Sequence, residues 1–461
     1  MNRTSDSSSK GRDLLREKKG FFGRIFSRPS AVGPEPDIRF GRWSDIYKKP
    51  ERYLAWDKSL QYFEQKKYLS AYREFLNYLG DDREGNVIYS ADEQKLDFIC
   101  YQGSKKIIGT ANRVKFKAEA KIAAATELID ASFFRDFLQR NFDLEYCRFA
   151  LDEAANLTLV FDTPTLDGSP FKLYHALREM ALQADKTDDL LTEKFPALRP
   201  INIGHIEELS AEEKKVKYDF AVSQIRKTLG KAESLAESLK NYPGGIAYLL
   251  LSLCYRLDYL LTPQGVVTET LERIHRSWFD GDRRDTAEKN AEITEELTTL
   301  LQRPEAAWNS EFYRVISTFG IVPAFGHERV QNLIDAELPV FDWYAEHGFT
   351  ETAKAIGDYI AGHSLFSFAL PKYDRDFFHL YYRISYPVFF RGLGYSDALA
   401  DEKSGKPNPK AIKRYIQKIV RNNEADYLRL SVPVSGLDFS NKPAFIRSFL
   451  LMIRNTEGVK G

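Results

Sequence analysis

Apolar and charged residues alternate strictly at 113–122, in the run RVKFKAEAKI. A period of two puts successive side chains on opposite faces of a strand, so this run predicts a β-strand with one solvent-facing side. A second strand is predicted at 95–101, joined to the first by a hairpin turn at 102–104. Two more strands, near 145–151 and 157–162, complete a predicted small antiparallel sheet.

Elsewhere apolar residues recur every three or four positions, which is typical of amphipathic helices. This spacing predicts a helical hairpin at 51–79, a helix at 126–140 and a helix that opens at Ser169-Pro170. Serine is a favoured helix cap and proline a favoured first helical residue. From Glu207 onward the pattern is almost entirely helical, with Pro/Gly breaks at 242–245, 262–265 and 321–323.

The order of these elements predicts an α+β fold, in which a small antiparallel sheet with flanking helices precedes a large all-α domain. A chain of 461 residues also exceeds the roughly 250–300 residues at which one core stops growing. The predicted regions are a flexible basic tail at 1–37, a helical hairpin at 38–80 that packs on the next domain, an α+β domain at 81–200, a helical domain at 201–400 and a C-terminal helical extension at 401–461.

Charge and cysteine content narrow the function classes. With 66 basic and 66 acidic residues the formal net charge is zero, so no global field attracts nucleic acid or anionic lipid. Three widely spaced cysteines predict neither a disulfide framework nor a metal-binding pair. The cysteine usage suits a reducing cytosol, which predicts a cytoplasmic protein. The apolar run at 245–261 is short for a membrane span and contains Arg256 and Asp258, which predicts a buried core helix.

The first 28 residues combine basic and apolar side chains. They contain eight Lys/Arg and three Asp/Glu, a local net charge of +5, around Phe21, Phe22, Ile25 and Phe26. Basic and aromatic groups together favour anionic interfaces, so Phe21, Phe22 and Phe26 are candidates for contact with a membrane surface or a partner. An ordinary solvated tail is the commoner explanation of such a segment.

Two groups of residues carry a resemblance to known families. In KKYLSAYREFLNYL, Tyr68, Ala71 and Phe75 have the spacing of a tetratricopeptide second helix. The order hairpin, strands, helix, strand pair, helix, over about 51–195, resembles the type III secretion chaperone and YbjN-like superfamily of bacterial α+β domains. The residues that carry this second resemblance are Asn141, Phe149, Leu151, Leu157, Leu159, Phe161, Leu173, Ala176, Leu177, Ala181, Ala184 and Asp185. The resemblance implies binding of another polypeptide through a sheet face or edge, often as a dimer.

Candidate chemistry is sparse in this sequence. Asp376 and His379 lie one helical turn apart, close enough for a carboxylate to orient an imidazole, with Arg383 one turn further. A surface ion-pair network is the commoner explanation of that group. Neither a phosphate loop nor a dinucleotide fingerprint nor a metal-ligand pair occurs, so no cofactor and no metal are predicted.

Two basic features bear on partners. Lys115 and Lys117 share one strand face, but Phe116 lies on the other, which argues against nucleic-acid binding. A helix near 410–421 carries a basic stripe that fits either an acidic partner or, more commonly, a solvated face. The stripe consists of Lys410, Lys413, Arg414, Lys418 and Arg421.

The sequence therefore predicts a non-enzymatic, protein-binding adaptor or chaperone-like scaffold with a polypeptide partner and a homodimer as one possible state. The two alternatives are an enzyme with a site near Asp376, His379 and Arg383, and a peripheral membrane scaffold tethered by its tail.

Overall fold

The computed structural model describes residues 35–45, 48–125, 135, 138–194, 198–201 and 205–460. The fold is α+β, as predicted, with a large helical part. Residues 48–201 form an α+β unit around one core, and residues 205–460 form a helical half around a second core. Most of the predicted helix at 126–140 lies outside the described residues.

The main sheet of the α+β unit is antiparallel throughout. Its strands lie in the order β1-β2-β3-β4-β6-β5, and β7 pairs with the end of β4. They are β1 Val87–Ala91, β2 Lys95–Gln102, β3 Lys105–Asn112, β4 Lys115–Ala125, β5 Arg148–Leu151, β6 Asn156–Pro164 and β7 Leu198–Pro200. The predicted turn at 102–104 joins β2 to β3, not to β4, so the predicted two-strand hairpin was wrong by one strand.

Helix α1 Pro50–Glu64 packs on α2 Tyr68–Leu79 and α3 Pro170–Lys194, and these last two helices cover one face of this sheet. Tyr72 of α2 packs edge-on against Phe116 of β4, with ring centroids 5.4 Å apart. The predicted cap of α3 is present, since the Lys172 backbone N–H donates to the Ser169 hydroxyl at 3.3 Å.

The helical half contains eleven helices among the described residues. They are α4 Ala211–Leu235, α5 Gly244–Leu261, α6 Gly265–Phe279, α7 Thr286–Gln302, α8 Glu305–Asn309, α9 His327–Glu346, α10 Thr350–Ser367, α11 Lys372–Ser385, α12 Pro387–Gly392, α13 Pro409–Asn422 and α14 Lys442–Arg454. Two short antiparallel pairs accompany them, β8 Glu207–Glu208 with β9 Tyr313–Arg314 and β10 Tyr427–Ser431 with β11 Glu457–Lys460.

Helix α5 is the centre of the helical half. By length and composition it is the one described helix that a membrane could hold, and 83% of it is buried inside the protein. The prediction of a buried core helix is thus confirmed. Its Arg256 is held within the core, because one guanidinium nitrogen donates to Asp358 (2.8 Å) and to the Tyr386 hydroxyl (2.6 Å).

Residues 35–45 form an extended strap across the helical half. Phe40 packs against the rings of His379 and Phe390, at centroid distances of 5.0 and 5.4 Å. The Gly41 N–H donates to the Tyr259 carbonyl at 2.8 Å. Residues 35–37, assigned to the predicted flexible tail, and 38–45, assigned to the predicted hairpin, therefore belong to this strap.

The two parts of the molecule meet through the connection that follows β9. The side-chain oxygen of Gln102 accepts from the backbone N–H groups of Thr318 (3.1 Å) and Phe319 (3.0 Å). Phe319 is 1% exposed and enters the core of the α+β unit, where it meets the ring of Tyr174. The helical half therefore contributes a side chain to the core of its neighbour.

Candidate functional site

The predicted catalytic group does not converge on one point. The Asp376 carboxylate accepts from the Asn423 amide at 3.0 Å, whereas His379 Nδ1 pairs with the Tyr259 hydroxyl at 3.0 Å. Arg383 is bound by Asp397 (2.6 Å) and Glu35 (3.3 Å). Each of the three residues thus has a different partner, and the expected carboxylate–imidazole pair between Asp376 and His379 is not formed.

Burial also removes His379 from acid–base work near neutral pH. It lies between the rings of Phe40 and Phe390, and burial lowers its pKa to about 3, helped by the positive charge of Arg383. A neutral imidazole in an aromatic core is the ordinary state of a structural histidine. Arg383 borders a cavity of about 20 Å³, room for roughly one water molecule.

A carboxylate–imidazole pair occurs elsewhere, between α11 and the start of α9. His327 Nδ1 lies 2.9 and 3.0 Å from the two oxygens of Asp374, which is fully buried. Burial opposes protonation of the imidazole, but the hydrogen bond and charge of Asp374 prevail and raise the His327 pKa. Local sequence patterns do not indicate this pair, because its members are 47 residues apart and belong to different helices.

A cavity of about 850 Å³ lies between the strap, the α+β unit and the helical half. Its volume is within the range of small-molecule sites. Most of the charged residues that line it form ion pairs with one another, for example Arg42 with Asp258 (2.7 Å) and Lys186 with Glu269 (3.0 Å). Asp376, His379 and Arg383 are not part of its lining, so the cavity does not enclose the predicted catalytic group.

Lys48 also lines this cavity, and its hydrogen bond is long. Its ammonium reaches the Leu79 carbonyl at 3.4 Å and lies 4.9 Å from the centre of the Tyr78 ring. Burial lowers the pKa of this ammonium to about 8, although the nearby carboxylates of Asp45 and Asp81 act in the opposite direction. Lys48 is therefore partly neutral at a pH where an ordinary lysine is fully charged.

The second face of the sheet is exposed in the part of the chain that the structure describes. Strand pairing puts the outward residues of six strands in one row across it. The row runs Ile88, Ile99, Ile108, Glu119, Val160 and Arg148. Ile88 is 54% and Ile108 39% exposed, so three isoleucines from β1, β2 and β3 form a connected apolar strip. We call these three residues the isoleucine strip.

Ion pairs flank the isoleucine strip on the same face. The candidate residues Lys115 and Lys117 belong to this rim, where Lys115 pairs with Asp162 (2.6 Å) and Lys117 with Glu119 (2.9 Å). Phe116 is fully buried on the opposite face, as the alternating pattern predicts. An apolar centre with a charged rim is the usual composition of a protein-binding patch.

Phe21, Phe22 and Phe26 lie outside the described residues. Within the described residues, no group of three or more His, Cys, Asp or Glu has a geometry that could hold a metal ion. Comparisons of the chain with protein families, with curated proteins and with solved structures returned no match.

Proposed function

We propose that this protein is a non-enzymatic adaptor or chaperone-like scaffold that binds a polypeptide through the open sheet face of its α+β unit. The isoleucine strip is the observation that carries the proposal. Neighbouring strands are about 4.8 Å apart, so its three side chains extend roughly 10 Å across the sheet. Contiguous exposed apolar surface with a polar rim is typical of an interaction site.

The location of the strip suits an extended or helical segment of a partner. Ile88 belongs to β1, which is the outermost strand on its side of the sheet. The outer edge of such a strand offers backbone donors and acceptors to a further strand. A partner strand that pairs with β1 would continue the sheet and bring its own apolar side chains beside Ile88.

The charged residues around the isoleucine strip indicate which partner segment would fit this surface. Lys95 pairs with Asp97 (2.9 Å), and both side chains remain about half exposed beside the strip. A partner segment with apolar residues at its centre and charges of both signs at its ends fits this surface. A second copy of the chain is one occupant with those properties.

The test is affinity purification of the full-length protein from its native cells, followed by mass spectrometry. In I88E/I108E two charges replace the strip on a solvent-facing surface, and we expect a stoichiometric partner of the unchanged chain to be lost. The control is V114E, because Val114 is 76% exposed but lies in the turn between β3 and β4. It should retain the partner.

Two results would contradict the proposal. A partner that I88E/I108E retains at full occupancy does not use the strip, and the sheet face would then have no assigned role. If no partner appears, and sedimentation of the purified chain finds only monomer, the adaptor assignment itself fails. Thermal unfolding of each variant shows whether loss of a partner reflects loss of the fold.

A further inference from the structure

Strand β1 is one outer edge of the main sheet. The Tyr101 N–H donates to the Asn86 carbonyl at 2.9 Å, and this bond sets which backbone groups of β1 face β2. Because backbone direction alternates along a strand, every second residue after Asn86 points its N–H and C=O away from β2. These outward residues are Val87, Tyr89 and Ala91. Among the described residues, their outward backbone groups have no hydrogen-bond partner.

The opposite edge of the sheet, β5, is protected. The Phe149 N–H donates to the side-chain oxygen of Asn141 at 2.7 Å, and the Cys147 N–H, just before the strand, donates to Glu179 at 2.7 Å. Native sheets also protect edges with charges, prolines or bulges, and β5 contains Arg148. Strand β1, with the sequence VIYSA, has no charged residue and no proline, and it pairs with β2 without a register shift. Within the described part of the chain, β1 is therefore the edge that is open to a further strand.

A second copy of β1 fits this edge. In an antiparallel pair centred on Tyr89, that residue lies opposite its counterpart, and Val87 lies opposite Ala91 of the second copy. All the outward backbone groups of both strands are then used, because residues that face each other in this way exchange two hydrogen bonds. The strand contains no charged residue, so no like charges oppose each other across the pair.

The same arrangement joins the two isoleucine strips. The two-fold axis that relates the copies is perpendicular to the sheet, so both copies present their strip on the same face. At about 4.8 Å per strand, the two strips together extend roughly 25 Å across the joined sheet. Two strips side by side form a longer apolar surface than either copy has alone.

We infer that the chain forms a two-fold dimer through β1, so that the strand added at this edge belongs to a second copy. The inference rests on the proposed function, because it assigns the open edge of the proposed binding surface. Each strand is five residues long, and a contact of this size belongs to the small, low-affinity class of interfaces. We expect a reversible dimer with a Kd on the order of 10 μM.

The test is sedimentation velocity of the purified full chain from about 1 to 200 μM, a range that spans the expected Kd. Ala91→Pro removes an outward N–H and leaves the hydrogen bonds to β2 in place, an orientation in which edge strands tolerate proline. It should raise the Kd at least about 10-fold, because each copy loses one donor and gains a ring at the contact.

The matched control is Leu151→Pro on β5. Leu151 is 43% exposed, and the bond from the Asp152 N–H to the Asn156 carbonyl (3.0 Å) implies that the Leu151 N–H also points away from its neighbouring strand. This variant should dimerise like the unchanged chain. Thermal unfolding of both proline variants checks that the fold is retained.

The register has a test of its own. In the two-fold pair, Ile88 lies opposite Ser90 of the second copy, and both are exposed. Ile88→Glu and Ser90→Lys should each weaken the dimer at least about 10-fold, since each puts like charges near each other across the axis. An equimolar mixture sets the new carboxylate opposite the new ammonium and should restore a dimer to within about 3-fold of the original Kd. Ile108→Lys, two strands from the edge, should not restore it.

Several outcomes would overturn the inference. They are a chain that remains monomeric at about 200 μM, a dimer that Ala91→Pro leaves intact, and a charge pair that fails to restore association. If Ala91→Pro unfolds, the charge pair decides alone. A monomer whose cellular partner is lost in Ala91→Pro would assign the edge to a strand of another protein.

The proposed function is judged by a different result. Ala91→Pro leaves the isoleucine strip unchanged, because the Ala91 side chain lies on the other face of β1. A polypeptide partner that Ala91→Pro retains and I88E/I108E loses therefore supports the proposed function even if the chain does not dimerise.

Discussion

Among the described residues of the α+β unit, two helices cover one face of the sheet and the isoleucine strip lies on the other. In the helical half, by contrast, helices surround α5 on all sides, and even the strap contributes Phe40 to the enclosed aromatic core. A sheet needs a layer on each face to bury both, whereas a helix bundle closes around its own core. The comparison indicates that the α+β unit presents apolar side chains in a row on one sheet face, whereas the helical half buries most of its apolar surface in its own core.

The two regions also differ in their buried ionisable groups. In the helical half, burial lowers the pKa of His275 and of His363 to about 4 each. The α+β unit instead buries Lys105, whose ammonium donates to the carbonyls of Ile122 (2.8 Å) and Ile201 (2.9 Å). The helical half should therefore respond more strongly to mild acid.

The largest expected effect comes from uncoupling the two regions at Phe319. Phe319→Ala empties a site in the α+β core and should cost about 3–5 kcal/mol of unfolding free energy. Differential scanning calorimetry should then resolve two transitions for the variant, whereas we expect one for the unchanged chain. The control is Ile321→Ala on the same connection, which is 44% exposed and should leave the transition unchanged. A single, unshifted transition for Phe319→Ala would mean that Phe319 does not couple the two cores.

The strap gives the next largest effect, through Gly41. Its φ is +71°, and a Cβ would lie 2.6 Å from two ring atoms of Tyr259. Gly85 has a similar φ of +59° but no atom within 4 Å of its Cβ. Both Gly→Ala changes incur roughly 1 kcal/mol of left-handed backbone strain. Gly41→Ala should cost about 2 kcal/mol more because of the clash.

Urea unfolding of the two glycine variants measures this difference, and limited proteolysis near residue 41 reports whether the strap has detached. Equal losses in Gly41→Ala and Gly85→Ala would show that the strap is not tightly packed against Tyr259.

The pH dependence of unfolding should distinguish the two regions, because the helical half contains the buried His363. Its Nδ1 has no hydrogen-bond partner among the described residues, so His363→Phe should change stability little at pH 7. An unfolded histidine has a pKa of about 6.5, so below that pH the unfolded chain takes up a proton that buried His363 excludes. The unchanged chain thus loses stability as pH falls, by roughly 2 kcal/mol at about pH 5 from this residue.

Unfolding free energies measured between pH 7 and pH 5 should therefore fall less steeply for His363→Phe than for the unchanged chain. The exposed His175 provides the control, since His175→Gln should keep the full pH dependence. Parallel curves for His363→Phe and the unchanged chain would argue against a buried neutral His363.

The smallest expected effect is a difference in the acylation of Lys48, which lines the cavity between the two regions. Burial sets the Lys48 pKa at about 8, so its acylation rate should reach half its maximum near that pH. An ordinary lysine, with a pKa of about 10.4, continues to gain reactivity well above pH 9. Peptide mass spectrometry of briefly acylated protein measures the two profiles, with Lys121 as the comparison, because its hydrogen bond to Asp152 raises its pKa. A Lys48 profile that rises above pH 9 would contradict the burial.

Local patterns of apolar and charged residues predicted much of the fold. Strict alternation predicted β4, because Phe116, Ala118 and Ala120 face the core and the residues between them face solvent. Strand β3 was missed because its sequence, KKIIGTAN, has two adjacent isoleucines and a buried Lys105 in place of an alternating signal. A buried lysine satisfied by backbone carbonyls is invisible to a hydropathy pattern.

Long-range features of the candidate sites were beyond sequence reasoning. The isoleucine strip depends on strand register, which brings Ile88, Ile99 and Ile108 together from three strands. The strap has no periodicity, and its anchors lie hundreds of residues away along the chain. Asp376 and His379 were correctly placed on one helix, but the partners that decide their roles, Asn423 and Tyr259, come from other elements.

The strap has a consequence for synthesis on the ribosome. Glu35 binds Lys418, 383 residues later, so this contact has to wait until the intervening chain has been translated. At about 5–20 residues per second the delay is roughly 20–75 s. During that interval Phe40 has no aromatic pocket to enter, because His379 and Phe390 have not yet been translated. The Phe40 side chain of a nascent strap therefore lacks these two ring contacts until the residues that form them have emerged.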